Sequence, residues 1–265
     1  MGTCTYYVTK PCDRDDFYVT SRSYIAPANP HVAIADRFTV FTYNQTFYID
    51  QTSSFYFNGI KTNLPFYFPS AFNPIVTVNM VSGKATITII PLKSTITFVS
   101  AQLCVTLPHM EQFYGNDTMC GAFGNIDGDC TDDVVFENGT TVTAPATCTT
   151  PPAVTAAQWI DSWIAPDPEP GCVRGGTIAA DSTCNLTAYT ADCAPINQVL
   201  SSTGPFKACL ALGNDIINNY YYGCLYDTCE GHSRCDSLAT FARTCQERIP
   251  FVDLDNWRTE LNCPY

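Results

Sequence analysis

The sequence has few of the residues on which most enzymes and nucleic-acid-binding proteins depend. Its 265 residues include 13 Lys and Arg against 25 Asp and Glu, which gives a formal net charge of −12. Such an acidic balance repels phosphate backbones, so it argues against a nucleic-acid partner. The three histidines, His31, His109 and His232, are scattered and lie near no acidic or Cys motif. We interpret each of them as a surface or packing residue.

Long apolar runs and catalytic signatures are also missing. No stretch approaches the roughly 18 consecutive apolar residues that a membrane-spanning helix needs, and the opening MGTCTYYVTK lacks the apolar segment of a signal peptide. The chain contains no GxSxG, HExxH, Walker loop or strand-associated GxGxxG motif. We therefore expect no membrane span and no enzyme activity.

Cysteine, by contrast, is abundant. The 15 cysteines do not fall into the spacings of metal-binding fingers, and so many thiols are typical of an oxidising compartment. The sequence therefore predicts a secreted, disulfide-bonded glycoprotein. Four N-glycosylation sequons agree with that compartment: Asn44, Asn116, Asn138 and Asn185. Because no leader is visible and the cysteine count is odd, we expect the chain to be a piece of a longer protein.

The first part of the chain predicts an antiparallel β-sandwich. From Cys4 to about Leu107 it is rich in Thr, Val, Ile, Phe and Tyr, with a period of two at residues 38–41, 46–50 and 84–89. Turn signals such as Asn-Gly at 58–59 and Ser-Gly at 82–83 separate these segments at hairpin spacing. A short helix is predicted at 156–163, and the prolines that follow end it.

The remaining residues predict a second domain of different character. Eight of the 15 cysteines lie between Cys184 and Cys263, with helical apolar spacing at 206–210 and 238–242. A domain this small buries little core, so disulfides worth about 2–4 kcal/mol each would stabilise it. We place the boundary just after Cys172, which gives domains at 1–176 and 177–265. The predicted fold class is α+β: an antiparallel β-sandwich domain followed by a small disulfide-rich, mainly helical domain.

The segment CGAFGNIDGDCTDD at 120–133 has the composition of a calcium-binding loop. Five residues supply side-chain oxygens: Asn125, Asp127, Asp129, Asp132 and Asp133. The glycines between them allow the backbone to fold around a small hard cation. An EF-hand is excluded, because neither Asn125 nor Asp127 as first position puts the turn glycine and the final glutamate in place. The alternative is an acidic turn that is only solvated.

Two sets of motifs carry a family resemblance. CGAFGNIDGDCTDDVVFENGT, followed by WIDSW and a Cys, resembles the closing segment of von Willebrand factor type D domains, and the opening GTCTYYVTKPC resembles their early strand. GCLYDTC at 223–229, CDSLATFARTC at 235–245 and NWRTELNCP at 256–264 are similar to the eight-cysteine domain that follows the D domain. This pair occurs in gel-forming mucins, von Willebrand factor, zonadhesin, tectorin and IgG Fc-binding protein.

The resemblance implies disulfide pairs that spacing alone does not determine, because eight cysteines already allow many pairings. The implied pairs are Cys4–Cys172, Cys12–Cys120, Cys184–Cys229, Cys193–Cys224, Cys209–Cys245 and Cys235–Cys263. Outside this set, Cys130 and Cys148 flank the acidic loop and its following turn, so we predict that they pair. Cys104 is then unpaired, either buried as a small apolar residue or bonded to a segment upstream of this chain.

The resemblance also implies weak, structural calcium binding. Asn125 and Asp127 match family ligand positions, Asp132 and Asp133 match a second pair, and Asp129 lies between them. The family's FDG aspartate, another ligand, has no counterpart here, so we expect a dissociation constant of roughly 10⁻⁴ to 10⁻³ M or weaker. Phe123 replaces the second Cys of the family's CGLC motif, so the redox role proposed for such a motif does not carry over.

Together these observations predict a structural and interaction module of a secreted adhesive, mucin-like gel-forming or extracellular-matrix glycoprotein. We expect its partners to be other extracellular proteins, copies of itself and the rest of a longer parent chain. Aromatic side chains left outside the core would mark the contact surfaces for cell adhesion or assembly. The alternative is a binding module for a specific secreted partner, such as an immunoglobulin, an egg-coat protein or a plasma protein.

Overall fold

The computed structural model describes residues 3–26, 29–99, 102–115, 118–125, 131–142, 156–166, 172 and 184–263. The chain divides into two compact units, Met1–Ile178 and Ala179–Tyr265, close to the predicted boundary. The described part of the first unit consists of antiparallel sheets and one short helix, and that of the second is helical and disulfide-rich. The predicted fold class is confirmed.

Twelve described strands form two sheets in the first unit. The strands are β1 Thr5–Pro11, β2 Phe17–Ala26, β3 Asn29–Thr42, β4 Gln45–Asp50, β5 Phe55–Phe57, β6 Ile60–Lys61, β7 Phe66–Phe68, β8 Val76–Val81, β9 Lys84–Ile89, β10 Ser94–Val99, β11 Gln102–Thr106 and β12 Met119–Cys120. One sheet has seven strands in the order β12-β1-β2-β3-β4-β5-β6, and the other has five in the order β11-β10-β9-β8-β7. Most strands that are neighbours in sequence pair through short connections, whereas β6 and β7 lie in different sheets and β1 also pairs with the distant β12.

The alternation of apolar and polar residues seen in the sequence separates a buried face from a more exposed face in each strand. In β4, Phe47 and Ile49 are buried and Tyr48 between them is not, as a period of two requires. Inward-facing side chains of both sheets form one core, in which the rings of Phe38 and Phe98 lie 4.6 Å apart between centroids. Each such side chain stabilises the fold by about 1.5–3 kcal/mol when fully buried.

Two predicted turns have the backbone geometry that hairpins favour. Asn58 and Gly59 have φ angles of 47° and 80°, and Ser82 and Gly83 have φ angles of 49° and 75°. Positive φ at both central residues is the mark of a type I′ turn, whose twist matches that of the flanking strands. These turns therefore set the register of β5 with β6 and of β8 with β9.

The second unit packs its helices around a small aromatic core. Its α-helices are α2 Thr190–Asn197, α3 Asn214–Cys229, α4 Arg234–Arg248 and α5 Trp257–Glu260, while α1 Ala156–Ser162 belongs to the first unit. The ring of Phe206 lies 5.4 Å from those of both Phe241 and Trp257, measured between centroids. The predicted helical spacing at 206–210 corresponds to a 3₁₀ helix, Lys207–Leu212, whose buried Cys209 is bonded to Cys245.

Six disulfides join described cysteines, and they are the pairs that the resemblance implies. They are Cys4–Cys172, Cys12–Cys120, Cys184–Cys229, Cys193–Cys224, Cys209–Cys245 and Cys235–Cys263. The predicted Cys130–Cys148 bond lies outside the described residues. Cys104 is unpaired and exposed. The first predicted alternative, burial as a small apolar residue, is wrong, while the second, a bond to a segment upstream of this chain, stays a prediction. The neighbouring Leu103 and Val105 pack against the core, and alternation therefore turns Cys104 outward.

Candidate calcium-binding loop

The acidic loop leaves the seven-stranded sheet from β12, which pairs with β1. Cys120 lies opposite Lys10 in that register and forms a disulfide with Cys12, with 5.0 Å between their Cα atoms. The main-chain amides of Ala122 and Phe123 then each donate to a carbonyl oxygen of β1 at 3.0 Å. The start of the loop is thus held by main-chain hydrogen bonds along the sheet.

Two glycines permit close approaches that no other residue would allow. Gly121 has a φ of 138°, and a Cβ atom there would lie 2.5 Å from the carbonyl oxygen of Val8. Gly124 has a φ of 79°, and a Cβ atom there would overlap the carboxylate of Asp133. Both positions need the positive φ and the absent side chain of glycine. The backbone therefore passes directly against β1 and then against the acidic side chains.

Three of the predicted ligands come together around one cavity. The main-chain amide of Asn125 donates to Asp133 Oδ1 at 3.2 Å, and its side-chain Nδ2 donates to Asp132 Oδ1 at 3.2 Å. Asn125 itself is buried, with 6% of its surface exposed. The three residues line a cavity of about 90 Å³, well above the roughly 10–15 Å³ that a water molecule requires.

The cavity suits a hard cation in the kind of its ligand atoms, since two carboxylates and an amide are oxygen donors. Asp127 and Asp129 lie outside the described residues. In the ranges that the structure does describe, no group of three or more His, Cys, Asp or Glu side chains could hold a metal. Calcium takes about six to eight oxygens, more than Asn125, Asp132 and Asp133 offer alone. Calcium binding therefore stays a prediction.

A short hairpin follows the loop and is fastened to helix α1. Val135 bridges to Thr141, and its carbonyl oxygen accepts hydrogen bonds from the indole Nε1 atoms of Trp159 at 3.0 Å and Trp163 at 2.9 Å. Residues four apart lie on the same face of a helix, so the WIDSW motif presents both indoles to one acceptor. Sequence reasoning did not identify Val135, because the role belongs to its main-chain oxygen and not to its side chain.

Three predicted glycosylation residues, Asn44, Asn138 and Asn185, are exposed, and Asn116 lies outside the described residues. Asn185 Oδ1 accepts hydrogen bonds from the amide and the hydroxyl of Thr187, at 3.2 and 2.7 Å. Exposure is a requirement for a glycan and does not show that one is attached. Glycosylation of these four residues stays a prediction.

The described segments of the first unit run from β1 through the start of the loop to α1, in the order in which the family motifs occur. The model of the von Willebrand factor type D domain matches residues 1–140, over half of the chain. This chain belongs to the von Willebrand factor type D domain family. A C8 domain, matched over residues 193–264, follows the type D domain. The predicted resemblance is confirmed.

Comparison with curated proteins gives a consistent result. The chain is 29% identical over 170 residues to the IgGFc-binding protein of Homo sapiens, a match that covers 62% of this chain. The chain spans about 3% of the length of that relative. Type D and C8 domains occur in secreted extracellular proteins. Within the described residues, no helix of the type D and C8 chain is both long and apolar enough to cross a bilayer.

Proposed function

We propose that this type D and C8 chain is a structural and interaction module of a secreted, multidomain adhesive, gel-forming or matrix glycoprotein, and that it acts by crosslinking and binding and not by catalysis. The placement of its disulfides supports this most directly. Cys4 lies just before β1 and Cys172 lies beyond α1, and the two are bonded across a sequence separation of 168. The bond therefore closes the type D domain almost end to end.

A bond at that position has a mechanical consequence. Tension applied to the chain on both sides of the type D domain passes through the Cys4–Cys172 bond, so the sheets between these residues carry none of it. Closing so long a loop also constrains the unfolded chain, which stabilises the fold by about 5 kcal/mol in the chain-entropy description. Both effects suit a module within an extracellular assembly.

Single-molecule pulling on the full chain between terminal handles tests this role. Under oxidising conditions we expect no extension from the residues between Cys4 and Cys172. After reduction, unfolding of the 168-residue loop should release roughly 55–60 nm of extended chain. Without reductant, the variant C4S/C172S should release at most roughly 20–22 nm, because the Cys12–Cys120 bond still closes 108 residues of the loop. An extension of this size from the oxidised chain would contradict the proposal.

We also propose that calcium holds the acidic loop on the type D sheet. Its ligands would be Asn125, Asp132 and Asp133, with Asp127 and Asp129 as the remaining candidates. Support comes from the buried Asn125, the two neighbouring carboxylates and the cavity between them. The adjacent negative charges repel one another, and a divalent cation would turn that repulsion into attraction. The ion would be structural and weakly bound.

Isothermal titration and melting with and without chelator test the calcium site. The chain is expected to bind calcium near millimolar concentrations and to melt at a lower temperature in EDTA. D132N/D133N should abolish both effects. As a matched control, D253N/D255N removes the same charge from two exposed aspartates of the C8 unit and should leave both unchanged. Identical titrations for the two variants would show that the loop is only a solvated acidic turn.

A second candidate is a binding module for one secreted partner, such as an immunoglobulin, an egg-coat protein or a plasma protein. It is supported by the match to a relative whose name states IgG Fc binding. Surface plasmon resonance with the human IgG Fc fragment tests the immunoglobulin case. Saturable Fc binding by the monomeric chain would favour this second candidate. Absence of Fc binding, with retained self-association, would favour the assembly role.

A further inference from the structure

The two sheets of the type D domain have four edges among the described strands, and three of them are short. Strands β6 and β12 have two residues each, and β7 has three residues between two prolines. The fourth edge, β11, has five residues, QLCVT, with no charge and no proline. Short strands, lysines and prolines are the usual means by which proteins prevent edge pairing. Among the described edges, β11 alone lacks these protections.

The direction of the main-chain groups in β11 follows from the turn between β8 and β9. In the type I′ hairpin at Ser82 and Gly83, the flanking residues Val81 and Lys84 form a hydrogen-bonded pair. Amide and carbonyl groups of successive residues point to opposite sides of a strand, so the alternation carries through the registers of β9, β10 and β11. This alternation directs the main-chain amide and carbonyl of Cys104 towards β10. The main-chain groups of Leu103 and Val105 point towards the open edge.

We propose that β11 pairs antiparallel with β11 of a second copy of this chain, about a twofold axis at Cys104, and that the two Cys104 residues form a disulfide. In that register Leu103 forms a hydrogen-bonded pair with Val105 of the second copy. Cys104 then lies opposite its equivalent at a non-hydrogen-bonded position. Cα atoms at such positions are about 4.5 Å apart, within the roughly 4.4–6.8 Å that a disulfide spans.

The side chain of Cys104 is available for this bond. It is exposed, it is the unpaired cysteine of the described residues, and it projects from the outer face of the five-stranded sheet. Its partner in β10 is Thr97, and the neighbouring pair on that face is Thr95 with Thr106. These hydroxyl side chains are small and uncharged, so they leave space for a second copy to approach the edge.

Electrostatics favours this sheet as the place where two copies meet. The chain has a net charge of −12, yet residues 51–110 contain no Asp or Glu and three lysines. All strands of the five-stranded sheet lie within that range. Pairing at β11 brings no carboxylates of this range together, so it avoids the repulsion between acidic residues expected for a chain of this net charge.

The covalent step is a thiol–disulfide exchange with a small-molecule disulfide such as oxidised glutathione. One Cys104 thiolate attacks that disulfide and displaces one small thiol, and the second Cys104 thiolate then displaces the other. One S–S bond forms between the copies, one S–S bond of the oxidant is broken, and the two protons leave on the released thiols. The inference rests on the proposed assembly function and names its partner as a second copy of this chain.

The first test is the mass of the full chain, folded in an oxidised and reduced glutathione buffer, by light scattering and non-reducing electrophoresis. We expect a dimer that survives denaturant and separates on reduction, and a mapped peptide in which Cys104 is bonded to Cys104. C104S should lose the covalent link, and C104K, which places like charges opposite each other, should also lose the non-covalent dimer. A monomer whose Cys104 remains free would overturn the proposal.

Two further variants test the register. V105P removes an amide that points to the open edge and none that bonds to β10. It should weaken dimerisation more than the control V105A, which loses the same packing against the core but keeps the amide. T97C in the C104S background moves the thiol one strand away from the edge on the same face. It should form no covalent dimer. Equal crosslinking by T97C would overturn the twofold pairing, whereas the mechanical and calcium tests of the proposed function would be unaffected.

Discussion

Trp163 donates its indole N–H to the main-chain carbonyl oxygen of Val135 at 2.9 Å, although 28 residues separate them in sequence. Trp159, one helical turn earlier, donates to the same oxygen at 3.0 Å. A carbonyl oxygen has two lone pairs, so the two indoles saturate it. These two bonds hold helix α1 against the hairpin that follows the acidic loop, and the main-chain amide of Glu137 adds a third by donating to Ser162 Oγ at 3.3 Å.

Substitution of the two tryptophans is expected to be non-additive. W159F and W163F each leave Val135 with one indole donor, and each should destabilise the type D unit by about 1–2 kcal/mol. W159F/W163F removes both donors and should cost more than the sum of the single changes. Differential scanning calorimetry of the full chain measures this on the transition of the type D unit. Additive losses would show that the shared acceptor does not couple the two side chains.

Gly124 and Gly59 form a matched pair for testing the loop. Their φ angles are 79° and 80°, but a Cβ atom would meet the Asp133 carboxylate at Gly124 and nothing within 4 Å at Gly59. G59A should therefore cost only the backbone strain of about 1–2 kcal/mol. G124A should cost more and should also weaken calcium binding in a titration. Equal melting temperatures for the two variants would contradict this packing.

Asp227 is expected to destabilise the C8 unit at neutral pH. Desolvation by surrounding atoms raises its pKa above the ordinary 3.8, opposed by the charge of His232 and a hydrogen bond from Ser237. Because the residue is exposed by surface area, solvent screens part of this effect and the change in stability should be small. The folded state then holds the proton more tightly than the unfolded state, so stability falls as pH rises from 3.8 through the raised pKa. D227N should melt at a higher temperature than the wild type at pH 7, with the difference vanishing below that window. A lower melting temperature at pH 7 would contradict the assignment.

Asp50 should show the opposite dependence. Burial raises the pKa of its carboxyl, but hydrogen bonds from Thr52, Ser54 and Tyr56 outweigh this and bring the pKa below the ordinary 3.8. This stabilisation is fully present above 3.8 and is lost as pH falls through the lowered pKa of the folded state. D50N should therefore melt at a lower temperature than the wild type at pH 7. The two melting curves should converge in strong acid, and a constant difference across pH would argue against an ionic origin.

Local patterns made much of the fold predictable. The alternation of apolar and polar residues at 46–50 predicted that Phe47 and Ile49 face the core. The Asn58-Gly59 and Ser82-Gly83 pairs predicted hairpins. Both signals are local, because side-chain alternation and turn preference depend on only a few neighbouring residues. Cysteine pairing was not local in this sense. Cys4 and Cys172 became predictable only through the family resemblance, since spacing does not specify partners.

The candidate site divides in the same way. The sequence identified Asn125, Asp132 and Asp133 by composition, but not that the amide of Asn125 donates to one carboxylate and its side chain to the other. Nor did it identify Val135 as the common acceptor of two indoles. Both arrangements join segments that meet only after the chain has folded, and main-chain acceptors leave no mark on residue identity.

Residue order alone was enough to predict alternating strands, turns at the Asn-Gly and Ser-Gly pairs, and a helical second unit with many cysteines. The outward position of Cys104 on an edge of the described sheet and the contact between Gly124 and Asp133 became visible only in the folded chain. Strand periodicity specifies that alternate residues share a face, but a strand becomes an edge or a neighbour only through its pairing with distant segments. That pairing depends on contacts over the whole chain.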